Sequence, residues 1–96
     1  MDVDELKSLI ENSRANRVEL PKHVFDRAKR RNVNTINLRD MILNGDFDEV
    51  RENNQSDPNF DYSYKVSIEN ENISVEMPIY FNVPGTKILV KSIWPR

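Results

Sequence analysis

From Phe60 to Ile68 the chain alternates without interruption, with Phe60, Tyr62, Tyr64, Val66 and Ile68 separated by Asp61, Ser63, Lys65 and Ser67. A β-strand places every second side chain on one face, so this run predicts a strand whose apolar set turns to a common core. Asn70-Glu71-Asn72 reads as a turn, and Ile73, Val75 and Met77 resume the alternation on a return strand. Pro78 has no N–H to give to a ladder and marks an edge, a bulge or a break. After a second turn at Asn82–Thr86, the segment Lys87 to Trp94 reads as the closing strand. Ile88-Leu89-Val90 is apolar on both faces, which predicts a central position. Phe47 to Arg51 adds a short strand, and Gln55 to Asn59 has the composition of a loop.

The first half has a different period. Asp2 or Asp4 can cap a helix running to Asn12, with Val3, Leu6, Leu9 and Ile10 near helical spacing. Arg17–Leu20 reads as a short extended piece. Pro21 suits the first turn of a second helix, where a missing N–H leaves no bond unmade. That helix extends to Arg31, carries Val24, Phe25 and Ala28 as its apolar stripe, and stops at Asn32. Asn34 or Thr35 caps a third helix that ends at Asn44-Gly45. Helices followed by an antiparallel meander is the α+β order. The 96 residues are expected to form one domain, 1–96, with about three N-terminal helices packed on a four-stranded antiparallel meander sheet.

Composition closes several functional classes. There is no cysteine and only one histidine, so no thiolate nucleophile exists and no transition-metal site is expected. Two glycines cannot build a glycine-rich phosphate loop. The serines sit in no nucleophile-elbow pattern. No cofactor is expected. No stretch approaches the roughly 18 apolar residues of a membrane span. The start, Met1-Asp2-Val3-Asp4-Glu5, is acidic and has no apolar signal region, so a cytoplasmic location is expected.

The net charge of −2 conceals an asymmetry. Residues 14–39 carry eight Lys/Arg against two acids, and residues 40–76 carry ten acids against two Lys/Arg. Either the two segments neutralise each other in the fold, or one faces phosphate and the other a basic partner. The cluster Asp46, Asp48, Glu49 and Glu52 reads as a solvated face, and Tyr62 and Tyr64 as core packing.

One constellation in the basic segment stands out. His23, Arg27 and Arg31 are spaced i, i+4, i+8 and form one stripe on the second helix. His23 sits in the first turn, where the positive end of the helix dipole disfavours the imidazolium, so a neutral ring able to take a proton is expected. Two guanidiniums beside it can hold a phosphate through paired N–H bonds. Lys22, Lys29 and Arg30 add to the positive field as candidate nucleic-acid contacts. The competing reading is structural, with Arg27 and Arg31 paired to Asp40 or other acids and tying helices together.

Pro21-Lys22-His23-Val24-Phe25-Asp26-Arg27-Ala28-Lys29-Arg30-Arg31-Asn32-Val33 resembles the His-x-x-x-Arg-x-x-x-Arg-Gly-Ile signature of a small prokaryotic family of unknown function related to RelE/ParE-like toxins. Asn34 to Gly45 is similar to that family's next capped helix. Ile88-Leu89-Val90-Lys91-Ser92-Ile93-Trp94-Pro95 resembles its closing strand, with Ser92 on a Thr and Trp94 on a Tyr. Asn32 replaces the signature glycine. The resemblance implies a RelE/barnase-like fold and a metal-independent RNA endonuclease of the mRNA-interferase type. It assigns His23 as base or acid, Arg27 and Arg31 as phosphate holders and Ser92 as a hydrogen-bond donor. RNA and a cognate antitoxin, or another small protein, are the partners it implies. The alternative is a non-catalytic protein- or nucleic-acid-binding module, to which the acidic pI of about 5.4 points. A small-molecule enzyme has no motif in its support.

Overall fold

In the computed structural model, which describes residues 1–96, the chain opens on a capping box. Asp2 Oδ1 accepts the Glu5 N–H at 2.8 Å, and the Glu5 carboxylate reaches back to the Asp2 N–H. This starts α1 (Val3–Ser13), which leads to β1 (Arg17–Glu19). Pro21 then begins α2 (Lys22–Arg30), and Asn32, at φ +58°, turns the chain away from it. The Asn34 side chain accepts the N–H groups of Ile36 and Asn37 and starts α3 (Thr35–Asn44). Gly45 closes α3 at φ +69°; a Cβ there would stand 3.0 Å from Lys7.

Five further strands follow: β2 (Glu49–Glu52), β3 (Tyr62–Glu69), β4 (Ser74–Phe81), β5 (Lys87–Val90) and β6 (Trp94–Pro95). The sheet order is β1-β5-β4-β3-β2, with β6 also paired to β4. β1 runs parallel to β5, and all other pairs are antiparallel. The expected four-stranded antiparallel meander is therefore corrected to a six-stranded mixed sheet. A three-residue strand is too short to show a period, and its partner lies far downstream, where Arg17 pairs Lys87. One core joins Leu6 and Ile10 of α1, Val24 and Ala28 of α2, and Leu38 and Ile42 of α3 to the inner sheet face. That face carries Val66, Ile68, Val75, Met77, Ile79, Phe81, Ile88 and Val90. No helix is long and apolar enough to cross a membrane.

The second correction is to the closing strand. β4 pairs Ile79 with Val90 and then Glu76 with Trp94. Three residues, Lys91–Ile93, thus stand opposite two, Met77 and Pro78, which is a one-residue β-bulge. It lies where Pro78 lacks a donor, while the β3 ladder on the other side passes through Lys65–Pro78 in register. Because side chains alternate, one extra residue exchanges the faces of everything after it. Ile93 enters the core at 0% exposure, and Trp94 emerges on the outer sheet face at 37%. Without the bulge Ile93 would face Glu76 and Trp94 would enter the core.

Phe60 is also corrected. It does not share the face of Tyr62 and Tyr64 but packs its ring 6.0 Å from Tyr80 on the outer face. The Asp61 N–H donates to Asn82 Oδ1, and the chain bends there before β3 begins. Tyr62, by contrast, stacks on Phe81 at 5.6 Å against the core.

The bulge predicts an ordering of stabilities. Ile93→Ala should lose about 2–5 kcal/mol in urea denaturation, and Trp94→Ser clearly less. The reverse order would place Trp94 in the core and contradict the register.

Candidate functional site

The helix stripe meets the bulge. β1 partners the outer edge of β5 only as far as Leu89, and α2 follows directly and takes over that edge. His23 Nε2 donates to the Lys91 carbonyl at 2.9 Å, and Arg27 Nη1 donates to the Ile93 carbonyl at 3.5 Å. A carbonyl only accepts, so Nε2 carries a proton in this bond, and Nδ1 has no hydrogen-bond partner within the protein. The two α2 side chains therefore hold the main chain on either side of Ser92.

Ser92 faces a polar cleft of about 310 Å³ on the outer side of the sheet. Lys65 and Pro78 form its floor, Asn53, Asn54 and Gln55 one wall, and Ser92 and Trp94 the other. Asn53 is committed to the wall: its Nδ2 donates to Ser63 Oγ and to Tyr80 Oη, and its Oδ1 accepts the Gln55 N–H. Tyr80 Oη in turn donates to the Gln55 carbonyl at 3.2 Å. The side chains of Asn54, Gln55, Ser92 and Trp94 make no hydrogen bond within the protein. Lys65 has no carboxylate partner, and its Nζ stands 5.8 Å from the centre of the Trp94 ring.

The loop that supplies this wall is fastened by charge. Lys91 Nζ is ion-paired to Asp57 and lies 4.4 Å from the Tyr80 ring centre. The Lys91 hydrogen bond, followed by the Asn59 N–H, holds the Asp57 carboxyl below its ordinary value of 3.8. On the core side, burial pushes the Tyr64 phenol up, with Glu52 adding to the effect. At the outer edge, Arg51 and Arg96 hold the Glu49 carboxyl down, and Arg96 Nη2 reaches Glu49 at 2.8 Å.

The expected site residues fall in different places. His23, Arg27 and Ser92 gather around one bulge, but only Ser92 lines the cleft. Arg31 caps the far end of α2, exposed and without a partner. Asp40 pairs with neither arginine. Arg30 is exposed and free. Lys22 makes a loose, exposed pair with Asp26 at 3.6 Å, which contributes little. Lys29 and Arg39 stand 5.4 and 5.9 Å from the Phe25 ring on the opposite flank of α2. No ion pair joins residues 14–39 to the acids of residues 40–76. Some of those acids find partners elsewhere: Asp46 pairs Lys7, and Glu49 pairs Arg51 and Arg96. Mutual neutralisation of the two segments is therefore not how this fold uses its charge.

Lys65, Asn54 and Gln55 carry no motif, so the sequence gives them no functional weight. The usable signal was Pro78: a bulge there moves Trp94 to the outer face, above Lys65.

No family model, curated protein or solved structure matches this chain.

The geometry predicts two outcomes. His23→Ala should lower stability by about 0.5–1.5 kcal/mol, the range of one hydrogen bond. His23→Gln, which can still donate, should recover part of it; equal losses would show that the bond to Lys91 holds nothing. Asp57, with its folded pKa depressed, adds stability that is complete well above 3.8 and is lost as pH falls through the lower folded value. Amide exchange at Asn59 and Phe60 should accelerate over that acid range, and Asp57→Asn should remove the pH dependence. An unchanged profile in that variant would contradict the tether.

Proposed function

We propose that this protein binds single-stranded RNA, with the phosphate backbone lying along the exposed side of α2. The observation that carries this reading is the unneutralised charge of the basic segment. Arg14, Arg17, Arg27, Lys29, Arg30, Arg31 and Arg39 have no carboxylate partner. Of the segment's cations only Lys22 has one. Free guanidiniums and ammoniums on a short helix release counter-ions when they meet phosphates, which favours binding at low salt. Arg27 spends one N–H on a carbonyl and retains others in its planar fork for a phosphate. The acidic Asp46–Glu52 edge would repel phosphate and orient the approach toward α2.

A second reading, metal-independent RNA cleavage, is favoured by one specific feature. The bond from Nε2 to the Lys91 carbonyl orients the His23 ring and leaves Nδ1 as the free basic atom. In such a reaction the ribose 2′-hydroxyl gives its proton to Nδ1 and attacks the adjacent phosphorus, forming a 2′,3′-cyclic phosphate, while the P–O5′ bond breaks and the departing 5′-oxygen takes a proton from water. Arg27 and Arg31 would then stabilise the charge developing on phosphate.

The test is anisotropy of a labelled single-stranded RNA at several salt concentrations. Arg30→Ala/Arg31→Ala should weaken binding and flatten the log–log salt dependence by about 1 for each phosphate no longer neutralised. Unchanged affinity in that variant would refute the binding reading. Incubation of the same RNA in chelator separates the two readings. Cleavage by wild type but not by His23→Ala supports catalysis, and intact RNA on a binding-competent protein rejects it.

A further inference from the structure

Resting on the RNA-binding reading, we propose that the outer cleft is the pocket for one unpaired nucleobase of the strand carried by α2, stacked on Trp94. The cleft's free groups are of the kinds a base requires. The Trp94 ring is partly exposed and offers an aromatic face once Lys65, whose Nζ stands 5.8 Å from its centre, turns to a phosphate. Asn54 and Gln55 each present an unspent amide, with a donor and an acceptor for a base edge, and Ser92 adds a hydroxyl. Lys65, free of any carboxylate, can meet a phosphate. No carboxylate lines the cleft, so nothing there repels an anion. At about 310 Å³ it lies at the small end of ligand clefts, about 300–1,000 Å³, which suits a single nucleotide.

Connectivity links it to α2. Ser92 lines the cleft, and the carbonyls of its two neighbours are the ones held by His23 and Arg27. A strand following α2 therefore meets the cleft on crossing the bulged edge of the sheet. Aromatic stacking accepts any base, and adjacent amides add preference for one edge pattern.

Trp94 is the only tryptophan, so its emission reports on this cleft alone. The intact protein is titrated with a labelled single-stranded RNA while RNA anisotropy and Trp94 emission are both recorded. Emission should be quenched with the same midpoint as the anisotropy change. Trp94→Ala should weaken binding about tenfold. Gln55→Ala and Asn54→Ala should change the preference among oligo(A), oligo(U) and oligo(C) while far-ultraviolet circular dichroism stays constant. An abasic oligomer should bind without quenching. If anisotropy reports binding but Trp94 emission does not move, the cleft proposal fails and the α2 reading stands. If the strand does not bind at all, both fail. If AMP or UMP alone quenches as tightly as the oligomer, the cleft takes free nucleotides and the coupling to α2 is wrong.

Discussion

Pro78 stands in β4, between β3 on one side and the last strand on the other, at a position whose missing N–H would face the last strand. The β3 ladder keeps its register past it. The last strand cannot, and inserts one residue between Val90 and Trp94. Everything distinctive about the site follows from that insertion. Ile93 seals the core, Trp94 turns outward, and Ser92 lines a cleft that an uninterrupted strand would not form. The bulge also removes main-chain groups from regular pairing, and His23 and Arg27 take up two of its carbonyls. Side chains that read as a catalytic stripe thus also anchor the helix to the sheet.

Anchoring and binding are compatible because each residue has more than one functional atom. His23 commits Nε2 and retains Nδ1, and Arg27 commits one N–H of its fork. Around them the fold keeps its charges apart. Asp46, Glu49, Glu69 and Glu76 are engaged by Lys7, Arg51 and Arg96, while Arg27, Lys29 and Arg30 of α2 have no carboxylate partner. A surface arranged this way can bind a polyanion despite an overall acidic chain, because the local field and not the net charge sets the encounter.

Much of the local structure was legible in the sequence. The alternation from Tyr62 to Ile68 marked β3, the Asn34 cap and Gly45 bracketed α3, and the doubly apolar Ile88-Leu89-Val90 marked a strand flanked on both sides. What escaped was non-local. The parallel pairing of Arg17–Glu19 depends on a partner far downstream, at Lys87–Leu89. Phe60 followed the alternation on paper but belongs to the loop that bends at Asp61 to cover Tyr80. In the candidate site, His23, Arg27 and Ser92 were visible as residues, yet the wall of Asn54 and Gln55 was not. Polar loop residues acquire meaning only when a sheet face is placed beneath them. Pro78 signalled a fault in the ladder, and the position of the compensating residue decided which of Ile93 and Trp94 became surface.

On the proposed reading, α2 and the bulge-built cleft act as one continuous surface for a nucleic-acid strand. A ¹⁵N-resolved NMR titration of the intact protein with single-stranded RNA tests this directly. The backbone amides of residues 22–31 and 91–94, the Trp94 indole N–H and the side-chain amides of Asn54 and Gln55 should shift together along one saturation curve. Shifts confined to the acidic Asp46–Glu52 edge, or absent throughout, would contradict it.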